Sequence, residues 1–105
     1  MLVRFIDPDG REHLVEGEPG ESAMRCATRA LIPGVLGECG GAMACATCHC
    51  YADPPAGATL PEPGFQEREM IEGCIDTRAT SRLTCQVVLA PELEGITFIV
   101  PVSQV

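Results

Sequence analysis

The stretch Cys39-Gly40-Gly41-Ala42-Met43-Ala44-Cys45-Ala46-Thr47-Cys48-His49 lies near the middle of a 105-residue chain. It shows neither the i, i+3, i+4 apolar spacing of an amphipathic helix nor the alternation of a half-buried strand. A segment with so little side chain gains little from burial, so its backbone must be organised by something other than hydrophobic packing. The cysteines indicate what that is. Five residues separate Cys39 from Cys45, two separate Cys45 from Cys48, and thirty-six separate Cys48 from Cys85, which sits within Ser81-Arg82-Leu83-Thr84-Cys85-Gln86. Three thiolates from one loop and a fourth from a distant segment can close a cage around an inorganic centre and staple the loop to the rest of the domain.

Small residues suit an iron-sulfur cluster in such a cage. Thiolates and bridging sulfides concentrate negative charge, and backbone N–H groups stabilise it best where no side chain blocks their approach. Gly40, Gly41, Ala42, Ala44 and Ala46 leave that backbone open, and Thr47 adds a hydroxyl donor. Zinc is the competing reading, because four thiolates also form a closed tetrahedral site. Zinc sites usually pair two short C-x2–4-C knuckles, and this chain has a single C-x2-C with a solitary distant partner. A 2Fe-2S cluster is therefore preferred, with zinc second and a thiol redox module third.

Composition sets the outer bounds. A chain of 105 residues fits one domain, residues 1–105, with a core that is adequate and not generous. Its seven cysteines are an odd number, which a pure disulfide framework would leave unbalanced. Residues 1–8 lack the apolar run of a signal peptide, and no stretch is long and apolar enough to span a bilayer. The expected compartment is the reducing cytoplasm, where clustered cysteines more often bind metal than form bridges. Fifteen acids against seven arginines, with no lysine, give a net charge of −8. That argues against a polyanionic partner such as nucleic acid and for a partner with a basic face.

Around the cysteine loop the pattern predicts a small α+β domain. Strands are expected at 2–6 and 11–16, joined by the turn Asp7-Pro8-Asp9-Gly10. Ser22 is the expected N-cap of the main helix, over 22–31, with Ala23, Ala27, Ala30 and Leu31 on its apolar face and Pro33-Gly34 as the stop. A short strand is expected at 49–52, a proline-rich connector at 53–64 and a short acidic helix at 65–74. In that helix Met70 and Ile71 should point inward and Glu67, Glu69 and Glu72 mostly outward. Strands are expected again at 82–89 and 96–100.

The run from Cys39 to His49, followed by Ser81 to Gln86, resembles the adrenodoxin/putidaredoxin type of 2Fe-2S ferredoxin. Pro91-Glu92-Leu93-Glu94-Gly95-Ile96 and Pro101 are similar to its bacterial, putidaredoxin-like branch, and the resemblance covers essentially the whole chain. The plant-type pattern has four residues between its first two cysteines, whereas this chain has five. The resemblance implies a β-grasp fold: a mixed sheet with one main helix and short helical segments. It implies Cys39, Cys45, Cys48 and Cys85 as ligands of a 2Fe-2S cluster, the first two on the outer iron. Such a protein carries one electron at a time and transforms no substrate. The implied partners are an FAD-containing, NAD(P)H-dependent ferredoxin reductase and a cytochrome P-450 type monooxygenase.

The same resemblance implies that Glu69 and Glu72 take part in partner docking. Arg68 is expected to tune the choice of partner, and Glu38, beside the first ligand, is a further candidate contact. It also implies that His49 hydrogen-bonds within the domain and ties the cysteine loop to the acidic-helix region. The chain ends Ser103-Gln104-Val105, without the aromatic end that often assists the putidaredoxin branch. Cys26, Cys50 and Cys74 read as bystanders, of which Cys50 is the least secure because it stands two residues from Cys48. The triplet Cys48-His49-Cys50 resembles the ferredoxins of iron-sulfur cluster biogenesis, which keeps that function open beside oxygenase support. A non-redox, zinc-stabilised interaction module is the third class.

Overall fold

The first turn sets the register of everything after it. Asp7 Oδ1 accepts the backbone N–H groups of Asp9 and Arg11, each at 2.9 Å, while Gly10 at φ 85° completes a reversal that other residues resist. The flanking strands β1 (Leu2–Ile6) and β2 (Glu12–Glu16) pair antiparallel, Phe5 opposite His13. The computed structural model describes residues 1–35, 49–74 and 77–102.

Helix α1 (Ala23–Arg29) begins where Ser22 Oγ accepts the N–H of Arg25, as the sequence predicts. It stops earlier than predicted. Leu31 adopts φ 57°, and the N–H of Ile32 reaches back to the carbonyl of Ala27 at 3.0 Å, so a Schellman-type end forms with leucine where glycine is usual. Ala30 and Leu31 consequently face solvent, and Cys26 takes the inward place beside Ala23, Met24 and Ala27.

Strand β3 (His49–Asp53) follows the cysteine loop, and helix α2 (Phe65–Glu72) follows the proline-rich connector. Helix α1 spans seven residues and α2 eight. Strand β4 (Ser81–Leu83) gives way at once to a 3-10 turn over Thr84–Gln86, so the strand expected across 82–89 is cut to its first residues and Cys85 sits on the turn. After a second 3-10 turn at Pro91–Leu93, strand β5 (Thr97–Ile99) closes the sheet.

The sheet order is β2-β1-β5-β3-β4. Strands β1 and β5 are parallel, and the other neighbours are antiparallel, which is the mixed sheet of a β-grasp. Phe5 and Phe98 are register partners whose rings stack with centroids 5.5 Å apart, and they anchor a core shared with Val3, Met24, Leu83, Leu89 and Ile96. Among the described residues no helix is long and apolar enough to cross a membrane.

Candidate metal centre

Of the four predicted ligands, Cys85 is described; Cys39, Cys45 and Cys48 lie outside the described residues, as does Glu38. The path of the chain shows what fixes Cys85. In the β3–β4 pair, His49 stands opposite Leu83, Cys50 opposite Arg82 and Tyr51 opposite Ser81. His49 is bonded directly to Cys48, and Leu83 precedes Cys85 by two residues, so the sheet brings the exit of the cysteine loop against the turn that carries the distant cysteine.

Three contacts lock that turn. Glu67 and Arg82 form a buried bidentate ion pair, Arg82 Nε to Oε2 at 2.7 Å and its second guanidinium nitrogen to Oε1 at 3.1 Å. Glu67 Oε2 also accepts the N–H of Leu83 at 3.0 Å, and Arg82 donates to the carbonyl of Pro61 at 2.8 Å. Helix α2, the connector and β4 are thus joined within three residues of Cys85. Glu67 therefore points inward, which corrects the expectation that it faces solvent. It lies at i, i+3, i+4 and i+7 with Met70, Ile71 and Cys74, so an acid on the apolar stripe was the signal that a cation waits beneath the helix.

His49 is fully buried, its Nε2 2.9 Å from Ser81 Oγ, which also accepts the N–H of Arg78 at 2.8 Å. Its ring meets Tyr51 edge-on at 5.3 Å, and the Arg78 guanidinium covers the Tyr51 ring at 4.2 Å. This tie runs from the residue after Cys48 to β4, the strand that follows the acidic helix.

Cys85 suits a soft metal centre in the features described. Cys85 is half-buried, and the Gln86 side-chain amide nitrogen lies 3.5 Å from its sulfur, a donor of the kind that stabilises a thiolate ligand. The remaining described cysteines are different. Cys26 and Cys50 are wholly buried in the core, and burial pushes both thiols up from their ordinary pKa. Cys74, half-buried at the end of α2, is raised by the same cause and donates to the carbonyl of Met70.

Of the predicted docking residues, Arg68, Glu69 and Glu72 share helix α2. Glu69 and Glu72 are exposed on α2. Arg68 is also exposed, and its guanidinium bonds Glu62 at 2.7 Å and the Pro63 carbonyl at 3.0 Å, so it is turned toward the connector.

A mixed sheet in this order, with a cysteine turn locked against the exit of a three-cysteine loop, defines a small ferredoxin of the β-grasp class. Ferredoxin CarAc of Sphingomonas sp is 45% identical over 105 residues, which covers 99% of this chain and 95% of that protein. Rhodocoxin of Rhodococcus erythropolis is 38% identical over 104 residues, 98% and 97% of the two. A ferredoxin structure from Rhodopseudomonas palustris HaA2 matches over the full length of both chains with a TM-score of 0.92 at 40% identity. Putidaredoxin in a covalent complex with putidaredoxin reductase matches at 0.89 and 33% identity, over 96% of this chain and 98% of that one. No protein-family model matches the chain. The chain belongs to the putidaredoxin/adrenodoxin-type ferredoxins and is an electron carrier, not an enzyme.

Proposed function

We propose that this ferredoxin holds a 2Fe-2S cluster on Cys39, Cys45, Cys48 and Cys85 and works as a one-domain, monomeric shuttle in the cytoplasm. It takes electrons from an FAD-containing, NAD(P)H-dependent ferredoxin reductase and passes them to a cytochrome P-450 type monooxygenase. The observation that carries the reading is the pairing of His49 with Leu83, which sets the residue after Cys48 against the strand that leads into Cys85. When bound, the cluster supplies a redox couple that gains and loses one electron.

The chain's own part is to hold and to dock. Cys85 offers its sulfur from a turn fixed by Glu67, Arg82 and Leu83, and Gln86 directs an N–H toward that sulfur. Glu69 and Glu72 supply negative charge on the outer side of α2, suited to weak, fast, salt-sensitive encounters with basic partners. Arg68 and Glu38 complete the proposed docking set.

A role in cluster biogenesis is the alternative, and its sequence mark is the triplet Cys48-His49-Cys50. Cys50 is a core residue, which leaves that triplet with one thiol fewer for chemistry. The test is direct: purified protein should contain iron and acid-labile sulfide in equal amounts, bleach with dithionite, and support a P-450 when a ferredoxin reductase and NAD(P)H are added. Zinc alone, or a colourless protein, overturns the cluster; bleaching without any transfer to a P-450 overturns the oxygenase role.

A further inference from the structure

The chain has only four aromatic residues, three phenylalanines and one tyrosine. Phe5, Tyr51 and Phe98 are buried, whereas Phe65 is 79% exposed. Its place on α2 is specific. Successive residues turn by about 100°, so Phe65, Glu69 and Glu72 fall within a stripe about 60° wide, on the side opposite the buried Glu67. A large apolar ring is thus held in solvent at the start of a stripe that continues into two exposed carboxylates.

Beside Gly64 the surface dips. A cleft of about 220 Å³ lies between the start of α2 and the segment after Cys85, lined among others by Leu60, Gly64, Gln86 and Val88. Val88, on the far rim, is 59% exposed. Gly64 adjoins Phe65 and Gln86 adjoins Cys85, so the cleft runs from the start of α2, where Phe65 stands, to the turn that carries the proposed ligand.

The geometry points to Phe65 as the apolar anchor of the face on which the electron-donating flavoprotein reductase docks, with Glu69 and Glu72 as its charged flank; this rests on the partner reading above. An exposed ring next to two carboxylates fits a partner that sets basic groups beside an apolar patch, which is the usual division between a desolvated interface centre and its polar surround. The division of labour is then clear. The acids set the rate of encounter and its salt dependence, and Phe65 sets how long the complex lasts.

Calorimetric titration of the cluster-loaded protein with putidaredoxin reductase, paired with NADH-driven reduction, tests this. Phe65→Ser is expected to weaken binding about tenfold, to raise KM while kcat is kept, and to make the heat-capacity change of binding less negative, with the salt slope unaltered. Glu69→Gln with Glu72→Gln is expected to flatten the salt slope and leave the heat-capacity change as it was. Phe65→Ser with wild-type affinity and heat capacity overturns the anchor. Normal handling by the reductase with impaired delivery to a P-450 assigns the face to the acceptor and also overturns it. Wild-type protein that bleaches with dithionite but not with the flavoprotein overturns the partner reading, and the anchor with it.

Discussion

Glu67 Oε2 meets both Arg82 Nε, at 2.7 Å, and the backbone N–H of Leu83, at 3.0 Å, so one carboxylate joins α2 to the edge strand of the sheet and neutralises the Arg82 cation. Both side chains are almost fully withdrawn from water. Each ion is costly to bury and is tolerable only with its partner in place.

Removing one member should therefore be far worse than removing both. Glu67→Gln keeps the shape and leaves the Arg82 charge uncompensated, for an expected loss of about 3–5 kcal/mol. The double variant Glu67→Met, Arg82→Met should recover most of it. Urea unfolding followed by far-ultraviolet circular dichroism measures both, and iron release should quicken in the single variant because Cys85 lies three residues from Arg82. Equal losses in the single and double variants would show that the pair matters only through packing.

The hairpin carries an acid-sensitive contact at the other edge of the sheet. Asp7 Oδ2 lies 2.8 Å from His13 Nε2, and that hydrogen bond is the main reason the Asp7 carboxyl sits below the usual carboxylate range. Burial opposes it, and the N–H groups of Arg11 and Asp9 add to it. Between the native value and the ordinary one near ~3.9, the unfolded chain binds more protons than the folded one. This contribution to stability is thus complete above the ordinary value and fades as pH falls through the native one. Asp7→Asn should flatten the dependence of the urea midpoint on pH below about 4.5; an unchanged acid slope would exclude Asp7 as its source.

Leu31 holds a left-handed conformation at φ 57° with 85% of its surface in water. A Cβ at that backbone angle costs about 1–2 kcal/mol, offset in glycine by roughly 0.5–1 kcal/mol of added chain entropy. Leu31→Gly should raise stability by about 0.5–1 kcal/mol, since no packing is lost, and thermal unfolding will register the gain. A drop in stability would mean that the exposed side chain does more than cap a helix.

Much of this molecule is legible in its residues, and the failures share a cause. Turn chemistry at Asp7 to Gly10 and the cap at Ser22 were readable because each depends on a few adjacent residues. The end of α1 was not, because Leu31 accepts a conformation that its side chain disfavours, through the Ile32 to Ala27 hydrogen bond. Residues 82–89 look like strand throughout, yet the chain turns at Thr84 and places Cys85 on a bend instead of within a ladder. Glu67 looked solvent-facing because charge usually is, and only the distant Arg82 explains its burial. Of the proposed ligands, Cys85 is described, on the turn after β4; Cys39, Cys45 and Cys48 lie outside the described residues.

Cys50 separates a ligand set of four from its near neighbours. It stands two residues after Cys48, yet its side chain has no exposure to solvent and packs in the same core as Leu83, Phe98 and Ala52. Burial alone raises its thiol pKa, so the thiolate that a metal requires is disfavoured there. Cys85 is half-buried as a residue, and its sulfur faces an amide donor. Cys50→Ala should therefore keep full iron content and the visible spectrum, at a stability cost of about 1–2 kcal/mol for the lost packing of one sulfur atom. Cys85→Ala should lose the cluster, and Cys85→Ser should hold it weakly if at all, because an alkoxide is a harder and less available donor than a thiolate. Iron and sulfide analysis beside the absorption spectrum distinguishes the two positions. A Cys50→Ala protein that emerges colourless while its circular dichroism stays native would move that thiol from the core into the metal site.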